Sequence, residues 1–190
     1  MQKQLIECVP NISEGRDLDK INRISREVET VSGVKLLDVD PGKATNRTVI
    51  TFVGEPSQVI EAAFKLIKLA SKLIDMSKHK GEHPRFGATD VCPLVPISGI
   101  SLEETSKYAQ QLGKRVGEEL NIPVYLYENA AQKPDRVNLA NCRSGEYEGL
   151  SKKLSDTNWI PDFGPTVFNN HVALTGATAI SARDFLVAYN

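Results

Sequence analysis

The sequence predicts a domain of the mixed α/β class (α+β), and three observations support this prediction. Segments rich in β-branched residues alternate with segments whose apolar residues recur at helical spacing. Two adjacent strand patterns, residues 34–39 and 47–53, are separated by a Pro41-Gly42 turn signal. Two long amphipathic patterns, one after Glu55 and one after Ser101, each lead into a further strand pattern. We therefore expect a mixed sheet with helices on one face.

Length and composition limit the classes of function. The 190 residues suffice for one domain with an apolar core or for two very small ones. Apolar residues make up 41% and charged residues 25%, as in ordinary globular proteins, and the formal net charge of -1 gives no field that would attract nucleic acid or an anionic membrane. No signal peptide and no apolar run of transmembrane length is present. We therefore expect a cytoplasmic protein without nucleic-acid or membrane partners.

The first half of the chain follows the order strand, helix, strand, strand, helix, strand. Asp17 or Asp19 is a candidate cap for the first helix, Gly33 is its expected end, and Pro56 lies in the first turn of the second. The four strands are predicted at residues 4–9, 34–39, 47–53 and 90–97. This order is that of the ferredoxin-like βαββαβ core.

An additional helix-strand unit follows this core. Ser101-Leu102-Glu103-Glu104 matches a capping box, and the strand after that helix is predicted at residues 123–127. Residues 133–154 are polar and are predicted to contain short helices. Residues 159–165 read as a loop made rigid by two prolines. A last strand is predicted in the apolar segment 185–189.

The segment His79–Asp90 has the densest chemistry in the chain. It contains two histidines, acids, bases and two glycines between a helix and a strand. His79-Lys80-Gly81-Glu82-His83 matches the H-x-x-E-H pattern of one zinc-protease class, but Gly81 and the following Pro84 oppose the continuous helix that this pattern needs. We therefore expect no metal site here. The three separated cysteines also lack a zinc spacing and are expected to be reduced core thiols.

Two interpretations of this loop remain open on its residues alone. A neutral imidazole is a competent base near pH 7, and the neighbouring Lys80 and Arg85 would hold an anionic substrate. Alternatively, the loop is solvated and its histidines only hydrogen-bond to the backbone, which composition alone favours. Asp40 could orient a base or cap a turn, and the loop around Asn11, at residues 10–16, could bind an anion through its backbone amides.

Taken together, several stretches resemble the glutamate formiminotransferase family. The resemblance is to its N-terminal subdomain, as in formiminotransferase-cyclodeaminase, and it covers nearly the whole chain. The matching stretches are Glu7–Gly15, Asn46–Thr48, Phe52–Gly54, Leu73–Met76, His79–Asp90, Val124–Tyr127, Gly145–Glu148 and Trp159–Pro165.

The resemblance implies a transferase (a glutamate formimidoyltransferase) that moves a formimino group from N-formimino-L-glutamate to N5 of tetrahydrofolate. Tetrahydrofolate would be a co-substrate, and no metal is implied. The family's catalytic histidine matches His83, in Glu82-His83-Pro84-Arg85, and an acid near the end of the second strand matches Asp40. The candidate substrate and folate contacts are Asn11, Arg47, His79, Lys80, Arg85, Gly164, Pro165 and Thr166.

The resemblance also bears on domain organisation. Family members pair this subdomain with a second one and hold folate in a tunnel between them, so we expect residues 1–190 to be the N-terminal subdomain and the C-terminal subdomain to be absent from this chain. The expected partners are the two small substrates together with either a second copy of the chain, as a homodimer, or a C-terminal-type subdomain. The alternative function is a non-catalytic folate-binding or dimerisation module.

Overall fold

The computed structural model describes residues 3–185, and its centre is a sheet of seven strands. The strands are β1 (Leu5–Cys8), β2 (Asn11–Ile12), β3 (Lys35–Gly42), β4 (Arg47–Gly54), β5 (Thr89–Ser98), β6 (Val124–Leu126) and β7 (Thr178–Ala182). The helices are α1 (Leu18–Arg26), α2 (Pro56–Leu73), α3 (Leu102–Leu120), α4 (Leu139–Arg143), α5 (Leu150–Ser155) and α6 (Asn170–Thr175). No helix within residues 3–185 is long and apolar enough to cross a lipid bilayer.

The strand order confirms the mixed α/β class. Strands β3, β4, the β1–β2 pair and β5 lie side by side and are antiparallel. Strand β7 then joins β5 in parallel, and β6 joins β7 in parallel. The five antiparallel strands, β1 to β5, come from the predicted βαββαβ segment, and β6 and β7 extend the sheet on one side.

The capping signals predicted from the sequence are present. The Asp17 side chain accepts a hydrogen bond from the backbone N–H of Lys20 at the start of α1. Ser101 and Glu104 form a capping box at the start of α3. Helix α1 ends earlier than predicted, and a 3-10 turn at Glu27–Thr30 carries the chain toward Gly33.

Three predicted segments differ in detail from the structure. Residues 10–16 were expected to be a loop, but Asn11 and Ile12 form β2, which bonds to both β4 and β5. Pro41-Gly42 was expected to be the turn, but it pairs with Thr48 and Arg47, so the turn falls at residues 43–46. A strand that was not predicted, β7, ends at Ala182 and is the last one within residues 3–185; of the predicted 185–189 segment, Phe185 is exposed and residues 186–189 lie outside the described residues.

The long helices α1, α2 and α3 pack on one face of the sheet, as predicted. Ile50 and Phe52 of β4 point into this core and are fully buried. The short helices α4, α5 and α6 pack on the other face, where they cover β6 and β7 around the buried ring of Tyr125. Helices therefore lie on both faces at this side of the sheet.

The rest of that second face is less covered. Along β4, fully buried side chains alternate with half-buried ones, and the half-buried set includes Arg47, Val49 and Val53. Asp40 pairs with Val49 and Glu7 pairs with Val53, so these side chains share one face. We call this surface, defined by Glu7, Asp40, Arg47, Val49 and Val53, the open face.

A buried ion pair ties the segment after Trp159 to the sheet. Arg136 is only 1% exposed, and its Nη1 lies 2.6 Å from Oδ2 of Asp162. The same carboxylate oxygen accepts a hydrogen bond of 2.8 Å from the backbone N–H of Leu126 in β6. The guanidinium also lies over the rings of Tyr125 and Trp159.

The substitution Arg136→Met should destabilise the fold strongly, because it leaves the Asp162 carboxylate buried without its partner. Removing one member of a buried pair typically costs about 3–5 kcal/mol. The free energy of unfolding, measured by urea titration, should fall accordingly. The double variant Arg136→Met/Asp162→Asn should recover part of the loss. An unchanged urea midpoint in the single variant would contradict this account.

Candidate functional site

Three loops meet at one end of the sheet, and Asn46 links them. Asn46 adopts a left-handed backbone conformation with φ 51°, which asparagine tolerates better than most residues. Its side-chain Nδ2 donates to the carbonyl of Lys80 at 2.9 Å, and its Oδ1 accepts from the backbone N–H of Gly15 at 3.0 Å. One amide therefore joins the turn before β4 to the loop after β2 and to the loop before β5.

Glycines let these loops approach closely. A Cβ atom on Gly15 would lie 2.4 Å from the carbonyl oxygen of Gly42, and one on Gly81 would lie 2.4 Å from the carbonyl oxygen of Thr45. Both contacts are with backbone atoms, so any larger residue would push the loops apart. Gly81 is thus required by the packing of the loop that carries both histidines.

His83 lies in the cleft between these loops and contacts Arg47. The ring is half-buried, and its Nδ1 lies 2.7 Å from the carbonyl oxygen of Pro84. Arg47 Nη1 lies 2.6 Å from Nε2 and 2.9 Å from Nδ1. A carbonyl oxygen can only accept, so Nδ1 carries the proton and Nε2 is left unprotonated, with Arg47 Nη1 lying against the ring beside both nitrogens. Arg47 Nη2 also donates to Oδ1 of Asn11.

His79 has a different environment from His83. Its side chain is 9% exposed, and its Nε2 donates to the carbonyl oxygen of Asn46 at 2.9 Å. Burial lowers the pKa of His79, and the bond to the Asn46 carbonyl opposes that change. Its Nδ1 is buried without a hydrogen-bond partner among the described residues. His79 therefore braces the loop in its neutral form.

A buried carboxylate also lines this cleft. Asp90, at the start of β5, is 4% exposed, and its Oδ1 accepts from the backbone N–H of Phe86 at 3.0 Å. Its Oδ2 lies 2.7 Å from Nη2 of Arg143. Burial raises the pKa of Asp90, and the nearby charges of Arg143, Arg47 and His83 oppose that rise.

The other predicted basic residues are placed differently. Arg85 is occupied: its Nη2 lies 2.6 Å from Oε1 of Glu148 and 3.1 Å from the carbonyl oxygen of His79. The Lys80 side chain is exposed at the rim. Arg47 contacts His83 and Asn11, and neither Arg47 nor Lys80 has an ion pair with a carboxylate among the described residues.

Asp40 lies on the open face but away from His83. It pairs with Val49 of β4, and Val49 pairs with Asn11 of β2, so the three residues form one row across the strands. Asp40 is exposed, and no hydrogen bond joins it to His83 in the described structure. The acid close to His83 is Asp90, and an orienting role for Asp40 stays a prediction.

Gly164, Pro165 and Thr166 lie at the C-terminal end of α3, apart from the His83 cleft. Gly164 has φ 88°, and a Cβ there would lie 2.3 Å from the carbonyl oxygen of Ile122. Gly164 and Pro165 line a surface depression of about 500 Å³ with Asn121, Asn169 and His171. Both sites lie at the end of the sheet where β5, β6 and β7 begin.

The segment His79–His83 runs as turns and loop, so its two histidines are not presented on one helical face. Within residues 3–185, no group of three or more His, Cys, Asp or Glu side chains is arranged to hold a metal ion. The three cysteines are buried free thiols.

Comparison with known proteins then gives the family. The family described as "Formiminotransferase domain, N-terminal subdomain" matches residues 5–183. This chain belongs to that family. It is 55% identical over 187 residues to the formimidoyltransferase-cyclodeaminase of Mus musculus, and the match covers 98% of this chain and 34% of the relative. It is 53% identical over 188 residues to the glutamate formimidoyltransferase of Thermoplasma acidophilum, covering 98% of this chain and 61% of the relative.

Membership of the formiminotransferase family confirms the resemblance found in the sequence. The relative from Streptococcus pyogenes, also a glutamate formimidoyltransferase, is 44% identical over 187 residues, and the match covers 62% of its length. The chain thus spans about a third of the mouse relative and about three fifths of the two microbial ones. These relatives are named as transferases.

Sequence reasoning missed three residues of the site. Asn46 and Asp90 lie inside stretches that carried the resemblance but were given no role. Arg143 lies in the polar segment 133–154, where no periodicity marked it. The nearest signal was the following Gly145–Glu148 stretch, since Glu148 holds Arg85.

The substitution His79→Gln should flatten the dependence of stability on pH. The pKa of His79 in the folded state is below its usual value of 6.5, so the unfolded state binds the proton more readily. The stability it contributes is present above about pH 6.5 and is lost as the pH falls toward the folded-state value. Urea titrations between pH 8 and 5 should show a smaller loss in the variant than in the wild type.

The matched control is His171→Gln, which changes an exposed histidine. This control should keep the wild-type slope. Parallel curves for His79→Gln and the wild type would show that burial of His79 does not contribute to the pH dependence.

Proposed function

We propose that this chain is the N-terminal catalytic subdomain of a glutamate formimidoyltransferase. The reaction is transfer of the formimino group from N-formimino-L-glutamate to N5 of tetrahydrofolate, with His83 as the general acid and base. The observation that carries the proposal is the group formed by His83, Arg47 and Asn11, which combines a neutral imidazole, a cation without a contacting carboxylate and an amide.

The proton inventory of the reaction suits one histidine. N5 of the folate attacks the formimino carbon, a new C–N bond forms, and Nε2 of His83 takes the proton from N5. The tetrahedral intermediate then loses the glutamate nitrogen as its C–N bond breaks, and His83 returns the proton to that nitrogen. The products are 5-formiminotetrahydrofolate and glutamate, and His83 ends neutral, as it began.

Arg47 couples donor binding to the activation of His83. In the structure its Nη1 lies 2.6 Å from Nε2, the nitrogen that must accept the proton. A carboxylate of N-formimino-L-glutamate is a stronger partner for a guanidinium than a neutral imidazole. Donor binding would therefore draw Arg47 onto the substrate and free Nε2. Lys80 at the rim would add positive charge for the anionic folate tail.

The open face is the proposed contact surface for the rest of the enzyme. It carries Arg47 and Asp40 and exposes apolar side chains such as Val49 and Val53 between them. A second subdomain, or a second copy of this chain, placed over this face would enclose the substrates and exclude water. Asp40 and the Gly164–Thr166 segment would then contact the donor amine and the folate. We place the reaction in the cytoplasm, where tetrahydrofolate would stay in its reduced form.

The substitution His83→Ala should lower kcat by about 100- to 10,000-fold, the usual contribution of general acid-base catalysis. Formimino transfer would be assayed with the 190-residue chain alone and after addition of the second subdomain of the Thermoplasma acidophilum relative. The control is Lys107→Ala, which changes an exposed lysine of α3 that lines neither site and should keep wild-type kcat. Full activity of His83→Ala in an active assembly would remove His83 from the mechanism.

The substitution Arg47→Met should raise KM for N-formimino-L-glutamate by about tenfold or more, because it removes the cation that meets the carboxylate. Arg47→Lys should restore part of that loss, and KM for tetrahydrofolate should change little. The measurement is initial-rate kinetics with each substrate varied in turn. An unchanged donor KM would contradict this role.

The alternative, a non-catalytic folate-binding or dimerisation module, is favoured by the half-exposed apolar side chains of the open face. Calorimetry with each substrate and sedimentation of the chain separate the two functions. Ligand binding or self-association without turnover in any assembly would support the module and overturn the enzyme.

A further inference from the structure

Arg143 reaches the His83 loop from a distant part of the sequence. It is the last residue of α4, and its side chain is 17% exposed. Its Nη2 lies 2.7 Å from the carbonyl oxygen of Pro84 and 2.7 Å from Oδ2 of Asp90. This nitrogen carries two protons, so it can donate to both oxygens at once. Arg143 therefore bridges a buried carboxylate and the backbone beside His83.

The same Pro84 carbonyl oxygen accepts the Nδ1 proton of His83. The Nδ1–oxygen distance is 2.7 Å, and a carbonyl oxygen has two lone pairs, one for each donor. Pro84 lies in a stretch that is neither helix nor strand, and no backbone N–H among the described residues donates to its carbonyl oxygen. The bond from Arg143 is therefore the contact that holds this carbonyl from outside the loop.

We propose that Arg143 is a positioning residue, which fixes His83 through the Pro84 carbonyl in the tautomer that leaves Nε2 unprotonated. Asp90 holds Arg143 in place from the opposite side. This inference rests on the proposed function for its catalytic meaning, since Nε2 is the nitrogen that would accept the proton in that reaction. The tautomer itself can be measured without any reaction.

Charge and burial explain why Arg143 needs Asp90 in order to hold the Pro84 carbonyl. A lone cation beside Pro84 could also turn toward solvent, whereas the Asp90 carboxylate is buried and accepts from the Phe86 N–H through its other oxygen. That second bond fixes the carboxylate to the start of β5, and the sheet thus sets the position of the guanidinium. The order of contacts runs from β5 through Asp90, Arg143 and Pro84 to His83.

The test is the tautomer of His83 in chain labelled with nitrogen-15 at histidine, read from long-range nitrogen–proton correlations at alkaline pH. Resonances would be assigned with His79→Gln and His171→Gln. In the wild type, Nδ1 of His83 should show the shift of a protonated nitrogen and Nε2 that of an unprotonated one. In Arg143→Met this pattern should be lost in favour of a mixture containing the Nε2-protonated form.

Two further variants make the result specific. Arg143→Lys keeps a cationic donor and should restore most of the wild-type pattern. Glu148→Gln removes a charge from the same segment, at a residue bonded to Arg85 rather than to Pro84, and should leave the pattern unchanged. A folded Arg143→Met variant with the wild-type tautomer would overturn the proposal.

Loss of Arg143 alone leaves Asp90 buried without a partner, so that variant could unfold. The double variant Arg143→Met/Asp90→Asn removes the buried charge and retains an oxygen for the Phe86 N–H. It should fold and should still lose the wild-type tautomer; a folded double variant that keeps it would equally overturn the proposal.

Measurements of kcat and KM give a second, independent test of the proposal. In an active assembly, Arg143→Met should lower kcat by roughly 10- to 100-fold with little change in KM for the donor, because the base is misdirected while Arg47 is intact. A changed tautomer together with full kcat would overturn the positioning role. Failure of the proposed reaction is a separate result, seen as absence of transfer by the wild type.

Discussion

The antiparallel register of β4 determines which side chains the site contains. Ile50 and Phe52 fill the core beneath the long helices, while Arg47 and Val49 face the other way. Side chains alternate along a strand with a period of two, so a slip of one residue would bury the guanidinium and expose the phenyl ring. The apolar core thus places Arg47 on the open face.

The site depends on this register at a second level. Arg47 is the first residue of β4, so the turn before it must end where the strand begins. Asn46 adopts a left-handed conformation in that turn, and its side-chain amide hydrogen-bonds to the backbone of Gly15 and Lys80. The loop that carries His83 is therefore anchored to the same strand as its partner Arg47. A shift in β4 would move both groups together.

Sequence reasoning found the elements because periodicity and capping are local. The capping box at Ser101 and the alternation along β4 depend only on nearby residues, and both are present in the structure. Strand β7 was not predicted, since the Thr178–Ala182 segment has small residues and a weak apolar signal. The burial of the β7 side chains depends on the neighbouring strands β5 and β6, which lie far away in sequence.

The site was predicted less completely for the same reason. His83 and Arg47 were found through the resemblance, and their contact spans 36 positions of sequence. Asp90 and Arg143 were missed as a pair because they are 53 positions apart, and only the packing of α4 against the sheet unites them. Asp40 was selected through the resemblance and its place at a strand end, and Asp90, which lines the cleft of His83, begins another strand.

The two histidines show how surroundings assign chemistry to identical side chains. His79 gives its Nε2 proton to the Asn46 carbonyl inside the loop cluster, so its exposed surface is small and its pKa is lowered by burial. His83 gives its Nδ1 proton to Pro84 instead and directs the opposite nitrogen at a cation on the open face. Four residues of separation on a helix would have pointed both rings at one ligand. Gly81 opposes that geometry. The loop instead contains one structural histidine, His79, and one histidine that is available as a base, His83.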